Sequence, residues 1–318
     1  MNVHCWAWTL AAGLAGSAWA APAATQPADA QVRRDMLVSA DWLAAHLHDP
    51  EIVVLHVGRK RTGYDTAHVP GARYLDWSDI AQEREGVLNE IPPVEELIAT
   101  VQKLGIDETK RIVIYDEGEV IPAARAYFVL DYLGLGERAA LLDGHWPQWK
   151  AQGRPVSTEE PRVQASRWRP QRLREELVVS LAEMREWVER KADRSHTGPP
   201  VIDARSENEY AGCTAGESVP RAGHIPGAHN LPSSGNLTSK EVPTFRGVPQ
   251  LRKMYAQAGA EPGGKVIVYC RTGASASLDY FTAKYLGYQP RLFDGSFSQW
   301  SAQPDTPVVN TAATQTAP

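Results

Sequence analysis

Cysteine is scarce in this 318-residue chain, with only Cys5, Cys213 and Cys270. Three thiols cannot build a disulfide framework, and no Cys-x-x-Cys pair is present to hold a metal. The nine histidines form no His-Glu-x-x-His or similar cluster, so no metal and no other cofactor is expected. A large charge excess is missing as well. A formal net charge of -5 offers nucleic acid no electrostatic footing. No apolar run is long enough to span a bilayer. The apolar stretch from Trp6 to Ala15 is too short for that, and Ala18-Trp19-Ala20 follows it as a small-x-small cleavage site. Residues 1–20 therefore read as an export signal cut before Ala21, and the mature chain is expected to be periplasmic or otherwise exported, free of the membrane. Cys5 would leave with the signal.

What the chain does have is a repeat. His68-Val69-Pro70-Gly71-Ala72 returns as His224-Ile225-Pro226-Gly227-Ala228, and Ile112-Val113-Ile114-Tyr115 as Val266-Ile267-Val268-Tyr269. Asp143-Gly144-His145 to Trp149 returns as Asp294-Gly295-Ser296 to Trp300, and the strand at Val54 as Val201-Ile202-Asp203-Ala204. The offsets stay near 154 residues, the separation of Asp116 and Cys270. Ordered matches at a near-constant offset mark a duplicated domain. Within each copy, buried strand patterns alternate with helical ones. The fold class expected is α/β, two domains each with a mostly parallel sheet flanked by helices. The boundaries read as a flexible leader over 21–36, a first domain over 37–151, a Pro- and Arg-rich surface linker over 152–176, a second domain over 177–305, and a disordered tail over 306–318.

The chemistry concentrates at Cys270-Arg271-Thr272-Gly273-Ala274-Ser275. A run of β-formers ends at the cysteine, a loop of small and polar residues follows, and a helical pattern begins at Ala276 and stops at Gly287. That arrangement sets a thiol at the carboxyl end of a strand, where α/β folds work. Successive loop N–H groups form an anion-binding nest, and the helix dipole adds partial positive charge. Both favour thiolate over thiol, so Cys270 is the candidate nucleophile. No histidine lies near it in sequence, which disfavours a cysteine hydrolase needing a positioned base. Asp116 takes the cysteine's place in the first copy, beside Glu117 and Glu119, so that copy is expected to be inactive.

These motifs resemble the rhodanese family in its tandem-domain sulfurtransferase form, from about Leu37 to Pro304. Cys-Arg-Thr-Gly-Ala-Ser-Ala is similar to the family's Cys-Arg-x-Gly-Val-Thr-Ala. Phosphatases on a similar scaffold carry Arg six residues after the Cys, where this chain has Ala276. The resemblance implies a persulfide on Cys270, loaded from a small anionic sulfur donor and unloaded to a thiol or cyanide, with a sulfur-acceptor protein as a further partner. It also implies that Arg205 faces the loop and binds the donor anion, in company with Arg271, Thr272, Gly273, Ala274 and Ser275. A basic residue after the Cys is typical of thiosulfate users, whereas mercaptopyruvate users carry Cys-Gly-Ser-Gly. Arg271 thus points to thiosulfate, while Thr272, standing where such users often have Lys, points to a high KM. 3-Mercaptopyruvate sulfur transfer and a non-catalytic sulfur carrier or docking module are the alternatives. Asp203 and His224 read as structural, Trp149 and Trp300 as core anchors. Ser275 reads as lining the loop or capping the helix after it. Cys213 reads as an unpaired surface thiol; a disulfide with Cys270 is the other reading.

Overall fold

The structure, a computed structural model, describes residues 32–192 and 198–312. The signal segment 1–20 lies outside the described residues. The first domain runs β1 (Leu37–Val38), α1 (Ala40–His46), β2 (Ile52–Gly58), α2 (Thr62–Thr66), β3 (Arg73–Asp76), β4 (Gln82–Arg84), β5 (Val87–Glu90), α3 (Val94–Lys103), β6 (Arg111–Tyr115), α4 (Ile121–Tyr132), β7 (Ala139–Leu142) and α5 (His145–Ala151). The second runs β8 (Val178–Val179), α6 (Leu181–Ala192), β9 (Val201–Asp203), α7 (Glu207–Ala211), β10 (His229–Asn230), α8 (Val248–Gln257), β11 (Lys265–Tyr269), α9 (Ala276–Tyr285), β12 (Gln289–Phe293) and α10 (Ser296–Ala302).

Each domain holds a five-stranded, wholly parallel sheet, in the order β1-β7-β6-β2-β3 and β8-β12-β11-β9-β10. The two orders correspond strand for strand, as a duplication requires. β6 and β11, the central strands of their sheets, are buried along nearly their whole length. That is why they read as unbroken apolar runs rather than alternating ones. β4 and β5 form a separate antiparallel hairpin on the first domain.

Helices α4 and α9 are buried on all sides because each covers its own sheet and also meets the other helix. Tyr127 meets Phe281 edge to face at 4.8 Å, and Phe128 meets Tyr280 at 4.8 Å. One apolar core runs through both domains across this seam. Burial inside it forces its charges to pair. Asp131 of α4 accepts from Tyr280 Oη at 2.7 Å, from Arg174 at 2.6 Å, and from Lys284.

Two segment readings need correction. The expected flexible leader is packed where it is described: Met36 is fully buried and the Arg33 N–H reaches the Tyr285 carbonyl at 2.8 Å. The expected disordered tail is likewise ordered from its start. Thr306 is buried, its carbonyl and hydroxyl accept from Arg221, and Val309 pairs with His224 as an antiparallel bridge. These short polar stretches lack internal periodicity and are held by partners far away in sequence, so local pattern could not reveal them. The linker 152–176 forms no helix or strand before Glu175, and it ties itself down by the Ser157–His68 bridge and by buried Trp168.

Candidate active site

β11 ends at Tyr269 and Cys270 follows at its carboxyl edge, only 1% exposed and with its thiol free. Its backbone is pinned by the Asp294–Trp300 motif. The Cys270 N–H donates to Ser296 Oγ at 3.1 Å, and the Cys270 and Arg271 carbonyls accept from the N–H groups of Phe297 and Ser298 at 3.0 and 2.9 Å. The loop then turns at Gly273, where φ is +80° and a Cβ would sit 2.6 Å from the Asp294 carbonyl oxygen. Only glycine meets both demands. α9 starts at Ala276 without a side-chain cap from Ser275, so the reading of Ser275 as that cap is corrected; Ser277 Oγ instead bonds the Gly273 carbonyl at 3.1 Å. Among the described residues, the amides from Arg271 to Ala276 have no acceptor within the protein. Unclaimed amides around a strand-end thiol make an anion cradle.

A cleft of about 590 Å³ opens over this loop. Cys270, Arg271, Thr272, Ala274, Ser275 and Arg205 all line it, joined by Arg59 and Ile121 of the first domain. Gly273 does not line it; it is buried behind, forming the turn. The arginines are less available than the sequence suggested. Arg205 is 3% exposed, with Nε and Nη2 on the Asp203 carboxylate at 2.9 and 2.5 Å and its plane 4.0 Å from the Phe297 ring. Burial alone would lower its pKa, but Asp203 overrides this and keeps it raised. Arg205 thus lines the cleft as expected, but its charge is already countered in place by Asp203. Nη1 of Arg205 is buried with no partner. Arg271 is also paired, Nε and Nη2 reaching Glu209 Oε1 at 2.9 and 2.6 Å, although its side chain stays 40% exposed. Burial pushes the Glu209 carboxyl up, but the Ser206 hydroxyl and Arg271 hold it below its usual value. Arg59, which the sequence reading missed, stacks on Trp77 at 3.8 Å and stands 3.6 Å from Glu119. Its one signal was its place just after β2, at the edge of its own sheet that corresponds to Arg205's after β9.

The first copy shows what such a loop does with an anion. Asp116 is buried, and its own carboxylate accepts from the Gly118 and Ala123 N–H groups at 2.8 and 3.2 Å, with His145 Nδ1 3.1 Å away. Burial would raise its pKa, but the His145 imidazole and the loop N–H groups hold it lowered. The carboxylate fills the cradle that the second copy leaves open.

The residues read as structural behave so. The Asp203 carboxylate accepts the Arg205 N–H at 3.0 Å. His224 stacks on Tyr210 and bonds its carbonyl at 2.8 Å, as His68 does with Tyr64 at 2.7 Å. Trp149 and Trp300 are fully buried. Cys213 is exposed and unbridged. Among the described residues, no group of three or more His, Cys, Asp or Glu is placed to hold a metal ion.

A strand-end cysteine in an amide-lined loop, on one of two duplicated parallel-sheet domains, defines a class that comparison with known proteins makes specific. The family description "Rhodanese-like domain" matches the chain twice, over residues 39–152 and 182–303. The chain belongs to the rhodanese family, in its two-domain form. It is 30% identical to "Sulfur carrier protein TtuD" of Thermus thermophilus over 283 residues, 86% of this chain and 96% of that one. It is 31% identical to "Putative thiosulfate sulfurtransferase" of Saccharopolyspora erythraea, covering 87% and 97%. It is 30% identical to "Probable 3-mercaptopyruvate sulfurtransferase" of Pseudomonas aeruginosa, covering 86% and 97%. These names support a sulfurtransferase and leave its donor open.

Proposed function

We propose that the protein is a sulfurtransferase that carries sulfur as a persulfide on Cys270, taking it from thiosulfate and passing it to a thiol or cyanide. One observation carries this reading: a free, buried cysteine at the floor of a cleft, ringed by amides with no acceptor of their own. The Cys270 thiolate attacks the outer sulfur of thiosulfate. The S–S bond breaks and sulfite leaves with the electron pair. The terminal sulfur of the resulting Cys–S–S⁻ is then attacked by the acceptor, which regenerates the thiolate. Each state at Cys270 carries one negative charge, so the same cradle serves both, and no general base is required. Arg271, half-exposed at the mouth, is the group best placed to meet the departing sulfite.

Mass spectrometry after thiosulfate treatment tests this. Wild type should gain about 32 Da, one sulfur atom on the reactive thiolate. Cys213→Ala should keep that gain and Cys270→Ala should lose it together with turnover. Turnover in Cys270→Ala overturns the mechanism. Faster loading from mercaptopyruvate than from thiosulfate reassigns the donor, and loading only from a persulfidated protein makes the chain a carrier.

A further inference from the structure

The first domain has no thiol at its own loop, yet it grips the loop of the second at two points. Asn89, on the β4–β5 hairpin, donates from Nδ2 to Thr272 Oγ1 at 2.8 Å. Arg125, fully buried on α4, donates from Nη1 to Asp294 Oδ1 at 2.6 Å and from Nη2 to the Asn89 carbonyl at 2.7 Å. The Ile91 N–H reaches Asp294 Oδ2 at 2.7 Å. One guanidinium therefore fixes both contacts, since it holds the Asn89 backbone and the Asp294 carboxylate together. Asp294 is the wall against which Gly273 turns, and Ser296, two residues on, takes the Cys270 N–H. Asn89 itself sits at φ +60°, a left-handed conformation that Asn tolerates and that bulkier residues resist.

We propose that Asn89 is a positioning residue for sulfur transfer: its side-chain amide, held by Arg125, sets Thr272 and with it the amide cradle around Cys270. It touches neither donor nor acceptor in this role and acts through Thr272. The inference rests on the proposed chemistry at Cys270, and its logic is geometric. A cradle of amides stabilises an anion only when its N–H groups converge, and a loop of small residues does not hold that convergence without outside contacts. The first domain is then a working part of the active site rather than a spent copy.

Asn89→Gly isolates the amide, because glycine takes φ +60° without strain. Asn89→Asp also tolerates that backbone but replaces the amide donor by a carboxylate beside the anion cradle, so it should not restore the rate. The expected result for Asn89→Gly is a fall of about tenfold in kcat for thiosulfate with KM changed less than about twofold, the pattern of a lost transition-state contact. Its thermal midpoint should stay within about 2 °C of wild type, as for a half-buried polar truncation. Wild-type kcat in Asn89→Gly, or rate losses in both variants that track a lowered thermal midpoint, overturns the inference. A second measurement is independent of the donor: alkylation of Cys270 by iodoacetamide at one fixed pH should slow about threefold in Asn89→Gly, because thiol attack depends on how the sulfur is presented. If wild type forms no persulfide, the proposed function fails by itself. The alkylation rates then decide the Asn89 role, and an unchanged or faster rate ends it.

Discussion

The Arg271 guanidinium rests on Glu209, with Nε and Nη2 both directed at Oε1 at 2.9 and 2.6 Å. The other oxygen of Glu209 accepts from Ser206 Oγ at 2.8 Å in a capping box that opens α7. One carboxylate thus starts a helix and restrains the cation beside the reactive thiol.

Glu209→Gln should keep the capping box, which accepts Gln, while removing the negative charge. Freed of its counter-ion, Arg271 should lower the KM for thiosulfate by about threefold at low ionic strength, and added salt should erase the gain. Arg271→Gly should act in the opposite direction, cutting kcat/KM for thiosulfate by about tenfold and mercaptopyruvate turnover less. Steady-state kinetics with both donors at two salt concentrations check the pair. A rise in KM on Glu209→Gln would show that Glu209 aims Arg271 rather than restrains it.

Asp116→Ala should leave the amides of Gly118 and Ala123 without their acceptor inside the first domain. The Ala123 donor is buried and the Gly118 one half-buried; a buried donor stripped of its partner costs about 1–3 kcal/mol, so the denaturant midpoint should fall clearly. Asp116→Asn, which keeps one carbonyl oxygen, should lose less. Turnover at Cys270 should persist in both at temperatures below the transition, read by thiocyanate formation.

His56 supplies a pH dependence of stability. It is fully buried on β2, Nδ1 lies 3.2 Å from Tyr115 Oη, and Nε2 has no partner. Burial brings its pKa down to about 4, with Asp116 opposing that shift and His68 adding to it. Below pH 6.5 the unfolded chain takes up a proton that the folded chain refuses until about pH 4. Stability from this group is therefore present above the unfolded value and is lost as pH falls through that window, by about 3 kcal/mol in all. His56→Asn should flatten the slope of unfolding free energy between those two pH values. An unchanged slope would show that other groups carry it.

The parallel sheets and the place of Cys270 were legible because both depend on local pattern. Val266 to Tyr269 reads as a buried strand from its β-branched run, and Gly273 and the small residues around it announce a tight turn before a helix. The pairings that tune the site were not legible. Asn89 and Thr272 are 183 residues apart, and Arg125 and Asp294 are 169 apart. Arg125 and Asp131 are the two charges in an otherwise largely apolar α4, where sequence marks them as anomalies but cannot name their partners. Arg205 was legible as a residue of the cleft but not as a neutralised one: Asp203, two positions earlier, folds back on it only because the strand ends there and both side chains are buried.

The seam between α4 and α9 has a mechanical corollary. Each helix is enclosed on one side by its own sheet and on the other by its counterpart. The face that each half would expose if released is therefore apolar. A protease cut in the exposed parts of the 152–176 strap would sever the covalent link without parting the fragments. They should elute as one particle and melt in a single transition, as a cooperative unit does. Separately expressed halves would meet solvent with two apolar helix faces bare, and are expected to find each other or precipitate.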